Sequence, residues 1–411
     1  MYNILAGMRV IEASSFVAAP SCALHLAQLG ADVIRIDPIG GGPDFRRWPR
    51  SGELSLYWEG LQKSKRSIAL NLREKEGREL ATAIITAPGD DAGLFVTNFP
   101  REGFLSHERL AARRPDLITV RVQGWADGRS GLDYTINAVT GYPLNTGPLD
   151  HQGPVNHVMP GWDLLTGGLS AMHLLAAERH RRATGQGQEI AMPLSSVAIM
   201  ALGALGQLAE VEVLDEERPR IGNSVFGAFG RNFATRDGRQ VMIVAVTGKQ
   251  WESVLDALQI REPVRAIEAA RGLDFASDEG LRFEHRDALD PIVEAAVARL
   301  DHATVADLFE QHQVCWGPYQ TLRETMDTHP EFQAGHPMMA SIAHPSGHTY
   351  RAPGSPAQYS GVAREPVRAA PRLGENSAEV LATLLGLSQA AIGDLLSRGI
   401  VADGETASRR A

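Results

Sequence analysis

Apolar and polar residues alternate in short blocks along the first 125 positions, and the period changes from block to block. "MRVIEASS" (8–15) reads as a buried strand, "APSCALHLAQLG" (19–30) as a helix ended by Gly30, and "ADVIRID" (31–37) as a second strand. "REKEGRELATAII" (73–85) and "HERLAARRP" (107–115) are helical in pattern, while "AGLFVTN" (92–98) and "DLITVRVQGW" (116–125) are strand-like. Strands alternating with helices predict an α/β fold whose parallel sheet carries helices on both faces, because each parallel crossover is right-handed and long enough to hold a helix.

A long helical stretch, "DLLTGGLSAMHLLAAERHRR" (163–182), follows, interrupted by Gly167 and Gly168, which weaken a helix but admit another backbone closely. After about residue 215 the texture shifts to Gly-spaced strand and turn signals (218–246) and then to helical pieces. This predicts a large domain from 1–204, a linker at 205–225, a small domain at 226–330, and a return through 331–411 that completes the large domain. Within the return, 336–374 reads as a long connection, 376–400 as closing helices, and "ADGETASRRA" (402–411) as a frayed tail.

Composition narrows the function. With 411 residues, 44% of them hydrophobic and 22% charged, the chain has the make-up of a globular protein large enough for two domains. A net charge of -9 speaks against nucleic-acid binding, which draws its affinity from neutralised phosphates. No apolar run is long enough to span a bilayer, and "MYNILAGMRV" lacks a signal-peptide pattern, so a cytoplasmic protein without a membrane partner is expected. Cys22 and Cys315 stand far apart without ligand-spaced neighbours, which predicts neither a disulfide framework nor a metal site. Basic residues cluster in "FRRWPR" (45–50), "KSKRS" (63–67) and "ERHRR" (178–182). The last suits a helix C-terminus; the first two, expected at the carboxyl edge of the sheet, fit either a solvated surface or a small polyanion.

Several common chemistries lack their residues. Asp37 ends the second strand where a dinucleotide fold carries its ribose-binding acid, but the preceding turn is "SSFVAAPS", without the glycines that let a pyrophosphate approach. Phosphate-loop, H-E-x-x-H and G-x-S-x-G signatures are also missing. What stands out instead is Asp163 in "VMPGWDLLTGG" (158–168), a carboxylate in apolar company. Burying such a charge is costly unless it caps a helix, pairs with a cation or does chemistry. The residues alone leave those three roles open.

The segments "LAGMRVIE" with "LAQLGADVIRID", "KSKRSIALNL", "VTNFP", "RPDLITVRVQGW", "WDLLTGG" with "AAERHRRATGQGQ", "VCWGPYQTLRE" and "APRLGENSAEVLATLLGL" run through nearly the whole chain. Together they resemble the class III CoA-transferase family. The resemblance implies a Rossmann-like large domain made from both chain ends, a smaller α/β domain, and an interlocked homodimer. It also implies an acyl-CoA substrate, with CoA present as part of that substrate and no permanently bound cofactor. Asp163 matches the family's catalytic aspartate, which carries first an acyl group and then CoA. A helix N-terminus at that point is expected to keep the carboxylate ionised.

"FVAAPSCALHLAQLGADVIRIDPIGGG", "AGLFVTNFP", "VNHVMPGWD" and "GAFGRNF" are most similar to members that move CoA between the two carboxyl groups of one dicarboxylate, transfer between separate acids being the alternative. By the same resemblance, CoA contacts fall on Val17 and Ala18, on Leu70, Asn71, Leu72 and Arg73, on Asn98 and Phe99, and at Tyr134. Arg46, Arg47 and Arg101 are assigned to CoA phosphates on position and charge, because guanidinium forks match phosphate geometry. Oxyanion donors are expected from the backbone at Val17, Ala18 and "GAFGR" (227–231). Pro38 stands where a relative has an arginine, so the adenine end is expected to be held differently. The racemases of this family need a histidine where "SGLDYT" (130–135) has Leu132, which removes one of their two bases. A non-catalytic CoA-binding or scaffold protein would have no use for Asp163.

Overall fold

A computed structural model describes residues 1–407. Six strands lie parallel: β1 (Arg9–Ala13), β2 (Asp32–Pro38), β3 (Arg66–Leu70), β4 (Leu94–Thr97), β5 (Ile118–Gln123) and β6 (Gln188–Pro193). Their order across the sheet is β3-β2-β1-β4-β5-β6, with β7 (Val401–Ala402) added antiparallel against β3. This is the doubly wound order. The chain leaves β1 in one direction to β2 and in the other to β4, which opens a crevice above their carboxyl ends, the place where such sheets bind ligands.

Both faces of the sheet are covered, and its strands are buried even where they carry charge, as at Glu12, Arg35 and Arg121. On one face α3 (Lys75–Ile85) and the helices Ser377–Leu385 and Gln389–Ser397 pack over Ile11, Ile34, Ile68 and Phe95, all essentially fully buried. Each such side chain contributes about 1.5–3 kcal/mol of burial free energy. On the other face α1 (Ala18–Gln28) packs against α5 (Gly161–Thr184). Gly167 lies at that contact: a Cβ there would sit 2.8 Å from the Ala18 carbonyl and 1.8 Å from Ser21 Oγ. Cys22 is buried in α1, and burial pushes its thiol well above the ordinary range, so it behaves as an inert apolar residue. α2 (Leu56–Gln62) packs against α1 and α4 (Asp133–Asn137) against α5, and after β6 come α6 (Leu194–Ala204) and α7 (Gln207–Leu214). Among the described residues no single helix is long and apolar enough to cross a membrane.

The chain divides into two compact units. The first contains Met1–Thr140, His157–Asp215 and the chain from Pro330 onward; the second contains Gly141–Asn156 and Glu216–His329. Residues 141–156, kept with the large domain in the sequence reading, thus cluster with the second unit. That unit has an antiparallel sheet in the order Cys315–Pro318, Gln240–Ala245, Phe229–Ala234, packed on Phe229, Phe233, Trp251, Phe275 and Phe309. The return stretch 336–374 is not all connection, since Met339–Ala343 and Thr349–Pro353 form a hairpin. The expected frayed tail is a correction: Ala402 belongs to β7 and Gly404–Ala407 is helical, because pairing with β3 satisfies an otherwise open sheet edge. Residues 408–411 of that tail lie outside the described residues.

Candidate active site

The crevice between β1 and β4 is pinned by one side chain. Asn98 accepts from the Ser15 N–H at 3.0 Å and donates to the Ser15 carbonyl at 2.8 Å, so both arms of its amide join the two turns. Between Ser15 and α1 the chain passes through Phe16 at φ 70°, left-handed backbone that a bulky residue adopts at a cost of about 1–3 kcal/mol. A cavity of about 570 Å³ opens there, lined by Phe16, Val17, Ala18, Phe99, Leu132 and Asp163, among others. Arg121 fixes another wall: fully buried, it donates to the carbonyls of Phe99, Pro100 and Leu105 and pairs with Glu189 at 2.7 Å.

Asp163 is the third residue of α5, and Pro160 occupies the cap position. The side chain is therefore not the helix cap. Nor is it paired: among the described residues no hydrogen bond or ion pair reaches its carboxylate, an unusual state for a half-buried acid. Its backbone is held by α4, where Asp133 and Asn137 share a face four residues apart. Asp133 Oδ2 accepts the Asp163 N–H at 3.0 Å, and Asn137 Oδ1 accepts the buried Trp162 indole N–H at 3.1 Å. The other Asp133 oxygen meets His157 Nε2 at 2.6 Å. Tyr134 packs edge-on against His157 and donates to the Val158 carbonyl at 3.3 Å.

Electrostatics act on Asp163 against the expectation that a helix end keeps it ionised. Burial, and then the Asp133 carboxylate, push its pKa up to about 7, with Arg47 pulling the other way. Such a carboxylate is more basic than an ordinary one yet still available as an anion, the compromise that suits a nucleophile.

A model of CoA-transferase family III matches residues 5–377. The chain belongs to CoA-transferase family III. It is 47% identical over 410 residues to the 2-methylfumaryl-CoA isomerase of Chloroflexus aurantiacus, spanning 99% of this chain and 100% of that one. It is 29% identical to the succinyl-CoA:mesaconate CoA-transferase of Haloarcula marismortui, spanning 91% of this chain and 94% of that one. Among solved structures, a CaiB/BaiF family protein from Brucella suis aligns with a TM-score of 0.75 at 24% identity, over 93% of this chain and 100% of that one.

The CoA-transferase residues named from sequence fall into groups. Val17, Ala18, Asn98, Phe99 and Arg101 line the same cavity as Asp163, although Asn98 is occupied as a pin and Arg101 pairs with Glu189 at 3.1 Å. Leu70, Asn71, Leu72 and Arg73 line a separate cavity of about 870 Å³ at the carboxyl ends of β2 and β3, together with Pro38, Arg46 and the β7 edge. Tyr134 flanks Asp133 beside α5. Arg47 lines neither cavity; it stands over the rings of Phe16 and Tyr57. Residues 227–231 belong to the second unit.

"KSKRS" is a correction. It leads into β3, with Arg66 and Ser67 already in the strand, so it lies at the amino end of that strand rather than after a strand. Lys65 is buried, bonded to Glu12 at 2.7 Å, Gln62 at 2.8 Å and the Pro20 carbonyl at 2.9 Å, while Arg66 pairs with Asp32. The cluster supplies counter-ions to the protein's own acids. Asp37 likewise does not wait for a ribose: it is buried against Arg35 at 2.8 Å. Sequence reading missed Phe16, Tyr57, Asp133 and His157. The spacing of Asp133 and Asn137 in "DYTIN" was the available signal for α4, but its partner Asp163 is 30 residues away.

Proposed function

We propose that the protein is a 2-methylfumaryl-CoA isomerase that moves CoA from the C1 to the C4 carboxyl group, giving 3-methylfumaryl-CoA. The observation that carries this reading is the 47% identity, over 99% of the chain, to a protein of that name. Asp163 supports it, as a half-buried carboxylate with a raised pKa in a cavity at the switch point of the sheet.

In this reading the Asp163 carboxylate attacks the thioester carbonyl, forming a mixed anhydride and releasing CoA thiolate. The thiolate attacks the aspartyl carbonyl, giving an aspartyl-CoA thioester and the free dicarboxylate. The second carboxylate then attacks that thioester and releases the thiolate again. Thiolate attack on the substrate carbonyl of the new anhydride forms the C4 thioester and restores Asp163. One difficult exchange becomes four acyl transfers of ordinary difficulty. Oxyanions developing near the carbonyls are stabilised by the first N–H groups of α1, beginning at Ala18, which have no partner within the helix. CoA enters as part of the substrate, its phosphates answered by Arg46, Arg73 and Arg101.

The working form in this reading is a cytoplasmic homodimer. Ile199, Met200, Leu205, Leu208, Val211 and Leu214 on α6, α7 and the turn joining them are large, apolar and exposed, which suits burial against a second copy. A scattering mass of two chains is expected, and a single-chain mass at working concentration would remove this part. Both cysteines are free, as expected of a reducing compartment.

The test supplies 2-methylfumaryl-CoA with isotopically labelled free 2-methylfumarate. Conversion to the C4 thioester with little label incorporated is expected. Rapid label uptake would instead make the protein an intermolecular CoA-transferase. Trapping with hydroxylamine during turnover should modify Asp163, and modification of another residue would remove the mechanism.

A further inference from the structure

The substrate of the proposed reaction carries a second carboxylate that has to stay in place when its bond to CoA is exchanged, and the structure offers it a partner. Arg47 carries a guanidinium with no hydrogen bond or ion pair among the described residues. It rests instead on two aromatic faces, 5.5 Å from the centre of the Phe16 ring and 5.4 Å from that of Tyr57. Stacking of this kind fixes the plane of a guanidinium and leaves its N–H edge open. The Tyr57 hydroxyl is buried and has no hydrogen-bond partner, a costly state that a bound acceptor would relieve. Asp163, Asp44 and Tyr134 are the other charged or titratable groups whose fields reach that hydroxyl. The Phe16 ring under Arg47 also lines the cavity that holds Asp163, which puts the guanidinium beside that cavity, and its field reaches Asp163.

The two donors are held in advance. Arg47 N–H donates to the Asp44 carbonyl at 3.2 Å, and the buried Asp44 carboxylate is anchored on Arg35 at 3.1 Å. The Arg47 carbonyl accepts from Ser55 Oγ at 2.6 Å, and the same oxygen caps α2, the helix that carries Tyr57.

We propose that Arg47 and the Tyr57 hydroxyl form the clamp for the substrate carboxylate that is not bonded to CoA, and that they hold the free dicarboxylate while its two ends exchange. This deepens the isomerase reading and rests on it. A guanidinium fork with a hydroxyl donor beside it matches the two oxygens of a carboxylate. The same position does not suit a CoA phosphate, since the pantetheine arm separates the phosphates from the thioester and hence from Asp163. Arg47 thereby takes a different role from the phosphate contact assigned on charge alone.

The test compares Arg47→Gln, Arg47→Lys and Tyr57→Phe with the unsubstituted enzyme in three measurements. Calorimetric affinity for CoA alone should stay within about twofold, as no phosphate contact is removed. Turnover of 2-methylfumaryl-CoA should fall about 10²-fold or more in Arg47→Gln, with partial recovery in Arg47→Lys, and about tenfold in Tyr57→Phe. Hydroxylamine trapping at Asp163 should fall with the dicarboxylic thioester but not with a monocarboxylic enoyl-CoA of the same chain length. Equal loss of trapping with both thioesters, or a tenfold loss of CoA affinity, overturns the clamp. Failure of the isomerase reading has a different signature, absence of the C4 thioester from the unsubstituted enzyme. The contrast between the two thioesters decides the clamp in that case too.

Discussion

Toward the carboxyl ends of β1 and β2, Glu12, Asp37 and Asp44 surround Arg35 and Glu12 also pairs with Lys65; these four ion pairs lie within 3.1 Å, and all five residues are buried. At the start of α5, Asp163 and Asp133 are neighbours; among the described residues no cation is bonded to Asp163, and Asp133 meets His157 and the Asp163 N–H. Both groups are carboxylate-rich and belong to the same unit of the fold. In the first, the acids are spent on internal partners and fix the turn that leads to Arg47. In the second, a repulsion is left unrelieved at a residue open to a cavity. A satisfied network makes structure, and an unsatisfied acid keeps free energy available for a ligand.

The largest effect is expected from Asp163→Asn, which should lower turnover by at least about 10⁴-fold in the thioester exchange assay while the fold survives. The same variant reports on strain. An acid held near 7 in the folded chain and at its ordinary value of 3.8 in the unfolded one binds an extra proton when folded, so its contribution to stability is lost as pH rises from about 4 to 7. Melting temperatures of Asp163→Asn should therefore match the parent near pH 4 and exceed it at pH 8. A variant no more stable at pH 8 would mean that the acid is not strained.

The satisfied network should respond in the opposite sense. Lys65→Met leaves three carboxylates on Arg35 alone and should cost about 3–5 kcal/mol in urea unfolding at pH 7. Burial, with Asp44 and Glu12 adding to it, already holds Asp37 up at about 6 against the pull of Arg35. The deficit should shrink as the pH falls toward 5, because the surplus acid then takes up a proton on the folded side. A deficit that grows on acidification would contradict the charge count.

A smaller change tests the repulsion itself. Asp133→Asn keeps an oxygen for the Asp163 N–H and removes the charge, so the acid limb of kcat/KM should move down from about 7 by up to about one unit. An unmoved limb would assign the whole rise to burial. The smallest effect is expected from Ser14→Ala, which removes a 2.7 Å hydrogen bond to Glu12 but leaves every ion pair in place, at about 1 kcal/mol by chemical denaturation.

The same two regions show what could be read from the chain beforehand. Strand and helix alternation through residue 125 follows from local periodicity, and Asp163 stands out because an acid in "PGWDLLTGG" needs a reason. The partners that define each acid's state were not legible. Glu12 and Lys65 are 53 positions apart, so a run such as "KSKRS" looks like surface until the fold brings Glu12 to it. Asp133 and Asp163 are separated by 30 residues, and a like-charge approach leaves no trace in composition. Arg47 was found by its charge, whereas its role follows from the two rings beneath it and from the unpartnered hydroxyl of Tyr57.

Gly167 sits one turn beyond Asp163, where α5 has room for no more than a hydrogen against the first turn of α1. The missing methyl lets the helix that carries Asp163 rest directly on the first turn of α1, and Ala18 and Asp163 line one cavity. The proposed cycle needs the same carboxyl group to meet first a carbonyl of the substrate and then the carboxylate at the substrate's other end. A gap set by contact between two backbones resets itself identically after each departure, so repeatability here comes from an anvil that has no side chain to rearrange.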